Sequence, residues 1–600
     1  MRLLCNLLFA KFKTVTFPSI SRSRLLLYSV RQMSSEESNI VYIRRENDSE
    51  HFQATFNWNY NYLNIHREFN FNRKSSEKLQ DFLGRVKTNV EKVVLNKTKR
   101  KKKMLSDASV SNVQDVKVNL FYEKTEVSPD IICEDVFFSN SYDPKKLMLK
   151  IIDTEFDIKV NSPLLVRLVL PSSIMAEFPV YPIVDIKFGE KHHSLFNWYR
   201  YNNTEDKWIQ VCNDLVYTPP IQDIGSKLKL SCTPGNGSTF GPTVTIEANV
   251  KVEAGPGLCP YHVRHQYTKE KLPSDRFRVV SYNILADLYA ETEVAKTELF
   301  PYCPPYALSV DYRKQLYLQE ILGYNGDIIC LQEVDVKIFE NEFQDILGRN
   351  KLSGIMTRKG STIAEGVATF YSSEKFRLLE TKTSELGNEI DINPIYRKIW
   401  LKIKDNIPLK ERFKERTTVL QVLILESIEQ PFKKIIVGNT HLFFHPDADH
   451  IRLLQAGMIL VFMEDIYKSM TRKFPTANIS LIMCGDFNST PDSGIYRLMT
   501  TKHVPTDIVD WKSKEGEEVE GLELQHSFSI DSACGTPLYT NYTVGFSGCL
   551  DYIYYENDKL NVTQVVPLPD EKDLKANVAI PSITFPSDHI ALIADFEWKS

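Results

Sequence analysis

The residues with the clearest chemical potential lie at Gly485-Asp-Phe-Asn488, directly after the apolar run Ile479–Cys484. A strand that delivers Asp and Asn into a tight turn suits the cleavage of a phosphate ester. The carboxylate can bind a hydrated cation or accept a proton from water, and the amide can hold a phosphate oxygen. Such turns are also common outside active sites. The tetrapeptide alone is therefore a weak indication of an active site, and the other polar residues of the chain have to support it.

Five further groups of polar residues also end apolar, strand-like runs. They are Ser281-Tyr-Asn283, Leu331-Gln-Glu333, Asn439-Thr-His441, Leu550-Asp551 and Ser587-Asp-His589. Carboxylates, amides and histidines are the groups that position a water, neutralise a phosphoryl group and assist a leaving oxygen. The chain has neither a Gly-x-Ser-x-Gly sequence nor a Walker-type glycine-rich loop. These features favour phosphodiester hydrolysis over nucleophilic serine chemistry or nucleotide-triphosphate binding.

The order of these residues resembles that of the endonuclease/exonuclease/phosphatase superfamily. The resemblance covers about residues 275–600 and implies an α/β fold, a two-sheet α/β sandwich. Finer matches narrow it to the deadenylase branch; they are Tyr282-Asn-Ile-Leu-Ala286, Tyr302-Cys-Pro304, Asp327–Val334, His441-Leu-Phe-Phe-His-Pro446 and Phe546–Ile553. One departure is Glu365-Gly-Val-Ala, where the branch usually has Asp-Gly-Cys-Ala. We expect this conservative change to be harmless.

The resemblance implies a metal site made of Glu333, Asp486 and Asn488. Glu333 would hold Mg²⁺ through its carboxylate oxygens, and Asn283 would orient Glu333 or the water shell of the metal. Asp486 would activate the attacking water. Asn488 would bind a phosphate oxygen or the metal, and Asp486 and Asn488 would help to hold a second ion if two are used.

The two histidines of the pattern are expected to contact the phosphate. A free histidine has a pKa of about 6.5, so a neighbouring carboxylate keeps it charged near neutral pH. Asp551 would supply that carboxylate to His589 and orient its ring. Asp588 would be a further ligand of metal or water, and His441 would be a second cationic donor.

Two residues are expected to recognise the base. Phe546 offers an aromatic face on which adenine can stack, a contact typically worth about 1–3 kcal/mol per base. Pro446 occupies the other matching position of the deadenylase branch. Both residues could instead be ordinary loop packing.

Composition limits the class of protein. Six hundred residues exceed a single core, so two or more domains are expected. The net charge of −4 gives no global sign of nucleic-acid binding, so a nuclease needs a local basic patch and bound cations. The ten cysteines include no Cys-x-x-Cys pair, which indicates a reducing compartment and no zinc site. Cys330 and Cys484 fall in apolar runs and are expected to be core residues.

Residues 1–33 have the composition of an amphipathic mitochondrial transit peptide. Six basic residues occur there, the first acid is Glu36, and basic residues interrupt every apolar stretch, unlike a secretory signal. We therefore expect the mature protein in the mitochondrial matrix; a disordered basic tail is the alternative. The basic cluster Lys97–Lys103 is expected to be a solvated loop, with RNA contact or a nuclear address as alternatives.

Three further segments follow the leader. Residues 38–252 are expected to form a β-rich, immunoglobulin-like domain with one helix near Ser75–Leu95, because short strand-like runs alternate with Pro, Gly and Asn turns. Trp198 would fill its core, and Asp223-Ile-Gly225 would make a turn before a late strand. Residues 253–274, with Ala254-Gly-Pro-Gly257, are expected to be a linker. The catalytic domain would then span residues 275–600.

The leading hypothesis is a Mg²⁺-dependent exoribonuclease that hydrolyses 2′,5′-oligoadenylate and 3′,5′-poly(A) tails to AMP by in-line attack of water. Its partners would be adenylate-rich RNA and 2′,5′-oligoadenylate, without membrane insertion. The alternatives are a dinucleotide (NADPH) phosphatase, an inositol-polyphosphate phosphatase or sphingomyelinase, and a non-catalytic RNA-binding scaffold. The sequence assigns no linkage preference, metal count or protein partner.

Overall fold

The computed structural model describes residues 39–105, 115–360 and 363–599. The transit-peptide prediction for residues 1–33 lies outside these described residues. The described chain forms a mixed β-sheet unit (40–160), a small β-sandwich unit (164–251) and an α/β sandwich (276–598).

The first unit is a seven-stranded sheet covered by a long helix. Its elements are β1 (Ile40–Arg44), β2 (His51–Tyr60), β3 (Ile65–Lys74), α1 (Leu79–Leu105), β4 (Val118–Tyr122), β5 (Thr125–Glu126), α2 (Cys133–Phe137), β6 (Leu147–Ile151) and β7 (Thr154–Val160). Alternate residues of β2 are buried, as the period of a strand requires. Phe82, Val86 and Val90 follow the helical period and pack in the same core.

The basic cluster Lys97–Lys103 belongs to α1, so the expectation of a loop was wrong. The helix begins at Leu79 and continues through the cluster to Leu105. Lysine and arginine are good helix formers, which allows the helix to extend beyond the apolar stretch that packs on the sheet.

The second unit is built from an antiparallel four-stranded sheet and a hairpin. Its strands are β8 (Leu164–Val169), β9 (Ile183–Lys187), β10 (Glu190–Asn202), β11 (Lys207–Cys212), β12 (Lys227–Gly235) and β13 (Val244–Lys251). Trp198 is fully buried in its core, as predicted. The Tyr217 hydroxyl and the Arg200 guanidinium both donate to the buried Asp223 carboxylate before the turn into β12.

Two segment predictions need refinement. Residues 38–252 were expected to form one domain, but the two units have separate hydrophobic cores. The expected linker contains the short helix α3 (Pro260–Arg264), whose Tyr261 is buried against the catalytic domain. Arg264 donates hydrogen bonds to the carbonyl oxygens of Pro567 and Ala591. This segment is therefore part of the catalytic fold rather than a polar connection.

The α/β sandwich contains two packed six-stranded sheets and two small two-stranded sheets. Its strands are β14 (Arg276–Asn283), β15 (Ile328–Asp335), β16 (Leu352–Arg358), β17 (Glu365–Ser372), β18 (Phe376–Glu385), β19 (Val419–Ser427), β20 (Lys433–His441), β21 (Asn478–Asp486), β22 (His503–Val504), β23 (Leu524–Gln525), β24 (Ile530–Ser532), β25 (Asn541–Tyr542), β26 (Ser547–Gly548), β27 (Asp551–Glu556), β28 (Leu560–Val565) and β29 (Leu592–Trp598). One six-stranded sheet has the order β16-β17-β15-β14-β29-β28, and the other has the order β18-β19-β20-β21-β27-β24. The two small sheets are β22-β23 and β25-β26. The predicted two-sheet α/β sandwich is confirmed.

Apolar side chains fill the space between the sheets, and helices cover their outer faces. The inner core includes Cys330 and Cys484, both fully buried as predicted. The helices are α4 (Asp287–Ala290), α5 (Pro305–Leu308), α6 (Val310–Gly323), α7 (Val336–Ile338), α8 (Gln344–Arg349), α9 (Leu386–Glu389), α10 (Arg397–Ile403), α11 (Ile407–Lys414), α12 (Asp449–Lys473), α13 (Gly494–Thr501) and α14 (Glu571–Leu574). Helix α6 packs on the first sheet and α12 on the second. No helix in the described ranges is both long and apolar enough to cross a membrane.

Candidate active site

Strand register in the second sheet brings three of the predicted residues together. Parallel strands β20 and β21 place His441 opposite Asp486, the last residue of each strand. Strand β27 runs antiparallel to β21 and places its first residue, Asp551, on the other side of Asp486. A histidine and two carboxylates thus share one edge of this sheet.

The first sheet contributes the remaining residues at the same edge. Parallel strands β14 and β15 end with Asn283 opposite Gln332, one residue before Glu333. His589 lies in the segment leading into β29, which pairs antiparallel with β14. The site therefore lies across the seam between the two sheets.

Glu333 has a backbone conformation that is rare for a residue with a side chain. Its φ of 56° lies in the left-handed region, where the ladder between β15 and β17 shifts register between Leu331 and Val334. The backbone N–H of Ala286 donates to Glu333 Oε2 at 2.9 Å. The bulge changes the direction of the Glu333 side chain, so that its carboxylate faces the site.

Asn283 joins the two sheets through its side-chain amide. Its Nδ2 donates to Glu333 Oε1 at 2.9 Å and to Asp486 Oδ2 at 3.1 Å. Its Oδ1 accepts the backbone N–H of Leu285 at 3.1 Å, so the amide orientation is set. Asn283 is fully buried and holds both carboxylates in place, which is the orienting role expected for it.

Asp551 and His589 form a buried hydrogen-bonded pair. Asp551 Oδ2 lies 2.8 Å from His589 Nδ1, and the same oxygen accepts the Thr540 hydroxyl at 2.6 Å. The Thr540 hydroxyl oxygen in turn accepts the backbone N–H groups of Leu550 and Asp551. Thr540 thus fixes the Asp551 carboxylate, and sequence reasoning did not identify it because a lone threonine in a loop carries no signal.

His589 is surrounded by negative charge. Burial alone would lower its pKa, but the carboxylates of Asp551, Asp486 and Asp588 raise the pKa of His589 well above the ordinary value. Its Nε2 lies 3.5 Å from Asp486 Oδ2. The imidazolium is therefore available at neutral pH to donate to a phosphoryl oxygen.

His441 was expected to be a second cation, and the structure does not support that charge. Burial, followed by the positive charges of Lys359 and His589, lowers the pKa of His441 well below the ordinary value. Its Nδ1 lies 3.0 Å from Lys359 Nζ, and its Nε2 lies 3.4 Å from Asp486 Oδ2. His441 is a neutral donor, and Lys359 is the cation at this position.

Lys359 is the functional candidate that sequence reasoning missed. It follows the last residue of β16, and its ammonium pairs with the fully buried Glu365 at 2.9 Å. Strand β16 lies at the sheet edge and is only partly buried, so it lacks the apolar run that marked the other strand ends. The available signal was the nearby sequence Glu365-Gly-Val-Ala, which departs from the family pattern.

Asn488 and Asp588 lie beside the cluster, and their roles as ligands of metal, water or phosphate stay predictions. Asn488 adopts a φ of 48°, its backbone N–H donates to Asp486 Oδ1 at 2.9 Å, and its Nδ2 donates to the Leu442 carbonyl. Its side-chain oxygen is the atom left to bind a ligand. Asp588 is partly exposed and accepts a hydrogen bond from Asn541 Nδ2 at 3.3 Å.

Pro446 and Phe546 occupy loops whose hydrogen bonds do not join them to the carboxylate cluster. Both are partly exposed, and the Phe546 ring packs over Gly548 so closely that a Cβ there would come within 2.8 Å of it. Their role in base recognition stays a prediction.

The donor set fits a hard divalent cation. Asp486, Asp551 and His589 offer ligand atoms within 4.8 Å of one another, but a protonated His589 paired with Asp551 is not a metal ligand. The oxygens left for a cation are those of Asp486, of Glu333, which is joined to it through Asn283, and of the Asn488 side chain. Burial raises the pKa of Asp486 to about 7, although His589 opposes the shift, and Asp551 adds to it. Burial and Asp588 similarly raise the pKa of Glu333. Clustered carboxylate oxygens whose charges disfavour one another are what Mg²⁺ stabilises.

Comparisons with known proteins agree with this geometry. A family model described as "Endonuclease/Exonuclease/phosphatase family" matches residues 280–589. A second model, described as "2′,5′-phosphodiesterase 12-like, N-terminal domain", matches residues 162–253. The two matched segments correspond to the α/β sandwich and to the small β-sandwich unit that precedes it.

Individual proteins are similar over different lengths. The 2′,5′-phosphodiesterase 12 of Rattus norvegicus is 39% identical over 562 residues, which are 88% of this chain and 90% of that protein. The CCR4-Not complex 3′-5′-exoribonuclease subunit Ccr4 of Mycosarcoma maydis is 32% identical and covers 54% of this chain and 51% of its own. A crystal structure of ANGEL2, a 2′,3′-cyclic phosphatase, in complex with adenosine-2′,3′-vanadate covers 54% of this chain and 96% of its own at 25% identity, with a TM-score of 0.45.

Proposed function

The chain belongs to the endonuclease/exonuclease/phosphatase family of nucleases and phosphodiesterases, and we propose that it is a Mg²⁺-dependent exoribonuclease. Its substrates are 2′,5′-oligoadenylate and 3′,5′-linked poly(A), from which it releases AMP. The observation that carries the proposal is the buried Asp551–His589 pair at 2.8 Å beside Asp486, which Asn283 joins to Glu333. The printed names of the 2′,5′-phosphodiesterase and 3′-5′-exoribonuclease relatives support the two linkages.

The residues have two roles in in-line hydrolysis. One set binds the cation and the attacking water, and the other binds the phosphoryl oxygens. Glu333, Asp486 and the side-chain oxygen of Asn488 are placed to hold Mg²⁺, with Asn283 orienting the first two. When bound, Mg²⁺ neutralises phosphoryl oxygens and makes a coordinated water a better nucleophile. Asp486 is placed to accept the proton of the attacking water.

Two cationic side chains, those of His589 and Lys359, lie beside the carboxylates. His589, kept protonated by Asp551, donates to a phosphoryl oxygen as negative charge develops there. Neutral His441 donates a second hydrogen bond, and Lys359 behind it supplies a further positive charge. Pro446 and Phe546 then bind adenine, which restricts the site to adenylate chains.

The decisive experiment incubates the purified protein and Mg²⁺ with a 2′,5′-linked adenylate trimer, a 3′,5′-linked trimer or NADPH. We expect AMP from both trimers and no phosphate from NADPH, because the site has to admit a phosphodiester followed by adenine. A His589→Ala protein is the control for contaminating nucleases. Phosphate release from NADPH without AMP release would identify a dinucleotide phosphatase instead.

We also propose that the protein acts in the mitochondrial matrix. Support comes from residues 1–33, which carry six basic residues and no acid. A fluorescent fusion that lacks these residues is expected to move from mitochondria to the cytosol. If the fusion stays in mitochondria, the targeting signal lies elsewhere in the chain. If the fusion moves to the nucleus, Lys97–Lys103 is a nuclear localisation signal.

A further inference from the structure

Arg313 lies on helix α6 and is fully buried beneath the active site. Its guanidinium donates to the Leu308 carbonyl through Nε at 2.9 Å. Its Nη1 is shared by three carbonyl oxygens, those of Ile284 at 3.1 Å, Leu285 at 2.8 Å and Pro586 at 3.2 Å. A buried cation that binds backbone carbonyls from two separate loops stabilises the positions of both loops.

The carbonyls of Ile284 and Leu285 belong to peptide units whose N–H groups bind residues of the active site. A peptide unit is planar, so fixing its carbonyl also fixes the N–H of the next residue. The Ile284 carbonyl shares a peptide with the Leu285 N–H, which donates to Asn283 Oδ1. The Leu285 carbonyl shares a peptide with the Ala286 N–H, which donates to Glu333 Oε2 at 2.9 Å.

The third carbonyl reaches the histidine side of the site. The Pro586 carbonyl shares a peptide with the N–H of Ser587. The Ser587 hydroxyl donates to the Asn283 carbonyl at 2.7 Å and accepts the backbone N–H of His589 at 3.1 Å. One guanidinium thus holds the peptides whose N–H groups bind Asn283 and Glu333, and the peptide before Ser587, whose hydroxyl accepts the His589 N–H.

The opposite face of α6 is held by the β-sandwich unit. Asp311 Oδ2 accepts both the backbone N–H and the hydroxyl of Ser172 at 2.6 Å. Gln315 donates to the Ser173 carbonyl at 3.2 Å and accepts the Met175 N–H at 3.1 Å. Asp311 and Gln315 are one helical turn apart, and Arg313 lies between them in sequence and so projects from the other side of the helix.

We propose that Arg313 is a positioning residue for the hydrolytic site, and that the β-sandwich unit maintains its position by anchoring the opposite face of α6. Residues 162–253 would therefore set the turnover rate without contacting substrate. Met175 and Phe178 pack in the same hydrophobic cluster as Leu316 of α6, so the anchoring contact is also buried. The proposal rests on the hydrolytic function proposed above.

The test compares two contacts between the same pair of units. Gln315→Met removes the polar contacts to Ser173 and Met175 while keeping the side-chain length. Lys191→Met is the matched control, because Lys191 pairs with Asp345 on α8, away from the helix that carries Arg313. Turnover, KM for the 2′,5′-linked trimer, the Mg²⁺ concentration for half activation and melting temperature are measured for each full-length protein.

We expect Gln315→Met to lower turnover about three- to tenfold and to raise the half-activating Mg²⁺ concentration, with little change in KM. Lys191→Met keeps wild-type values. Arg313→Lys, which cannot reproduce the planar fork of donors, is expected to lower turnover about 10²-fold. Equal losses in Gln315→Met and Lys191→Met, or no loss in Gln315→Met, would overturn the anchoring role.

Two further outcomes separate this proposal from the function it rests on. Wild-type turnover in a folded Arg313→Lys protein would show that Arg313 does not position the site. If that variant does not fold, the comparison of Gln315→Met with Lys191→Met tests the anchoring role. If the wild type hydrolyses none of the substrates, the proposed function fails. The Mg²⁺-induced rise in melting temperature then tests the positioning role alone, and it has to be smaller in Gln315→Met than in Lys191→Met.

Discussion

Alanine in place of Asp551 is expected to lower the single-turnover rate on a short adenylate substrate by about 10²–10³-fold. Asp551 lies 2.8 Å from His589 Nδ1, and its charge is the first of the three carboxylate charges that raise the His589 pKa. Without it the ring loses its orientation and part of its affinity for the proton. His589→Ala is expected to cost at least as much, because the donor to the phosphate is then absent.

The double variant tests whether the two residues act as a unit. Asp551→Ala with His589→Ala is expected to cost little more than the worse single change, because coupled residues are not additive. KM should change less than turnover, since the contact strengthens as charge builds on the phosphate. Additive rate losses would contradict the coupling.

Melting curves separate this role from a merely structural one. If Asp551 only ends a turn at the start of β27, Asp551→Ala will lower the melting temperature and leave turnover per folded molecule intact. Thr540→Ser is the matched control, because it keeps the hydroxyl that donates to Asp551 Oδ2. We expect it to retain nearly wild-type turnover.

Glu333→Ala is expected to abolish measurable turnover while the protein stays folded. The carboxylate is only slightly exposed, and burial and Asp588 raise its pKa although Lys359 opposes the shift, so a bound cation would favour its charged form. Wild-type protein should therefore melt at a higher temperature when Mg²⁺ is added, and Glu333→Ala should lose most of that rise. Near-normal activity in a folded variant would end the assignment of Glu333 to the metal site.

Glu333→Gln controls for the unusual backbone at this position. Glutamine experiences the same positive φ and can still accept a hydrogen bond from Asn283 or Ala286, but it has no charge. Loss of Mg²⁺ stabilisation in this variant would identify the charge, rather than the local geometry, as the feature that binds the metal. Preserved stabilisation in Glu333→Gln would assign the effect of the alanine change to lost hydrogen bonds.

The sequence predicted those site residues that end buried strands. Asn283, His441 and Asp486 each terminate an apolar run, and the parallel or antiparallel pairing of those strands brings their ends together. Sequence reasoning also found Trp198, because a large apolar residue in an alternating strand must be buried. These successes depend on local patterns that each segment carries by itself.

The features that it missed depend on contacts between distant segments. The lowered pKa of His441 follows from its burial and then from the charge of Lys359, which is 82 positions away in the chain. Arg313 occupies a helix position that a single sequence would assign to a solvated charge, since its four carbonyl partners become adjacent only in the folded chain. The buried Tyr261 shows the same limit in a segment whose Gly and Pro content indicated a linker.

The alternation of the chain between the two sheets has a consequence during synthesis. Asn283 and Glu333 are made first, and the second sheet then supplies His441, Asp486 and Asp551. The chain returns to the first sheet with β28, and His589 and β29, the strand that lies between β14 and β28, come last. A ribosome-bound chain that has not yet released β29 cannot complete the first sheet or bring His589 to Asp551. The complete site therefore forms only after β29 has docked between β14 and β28.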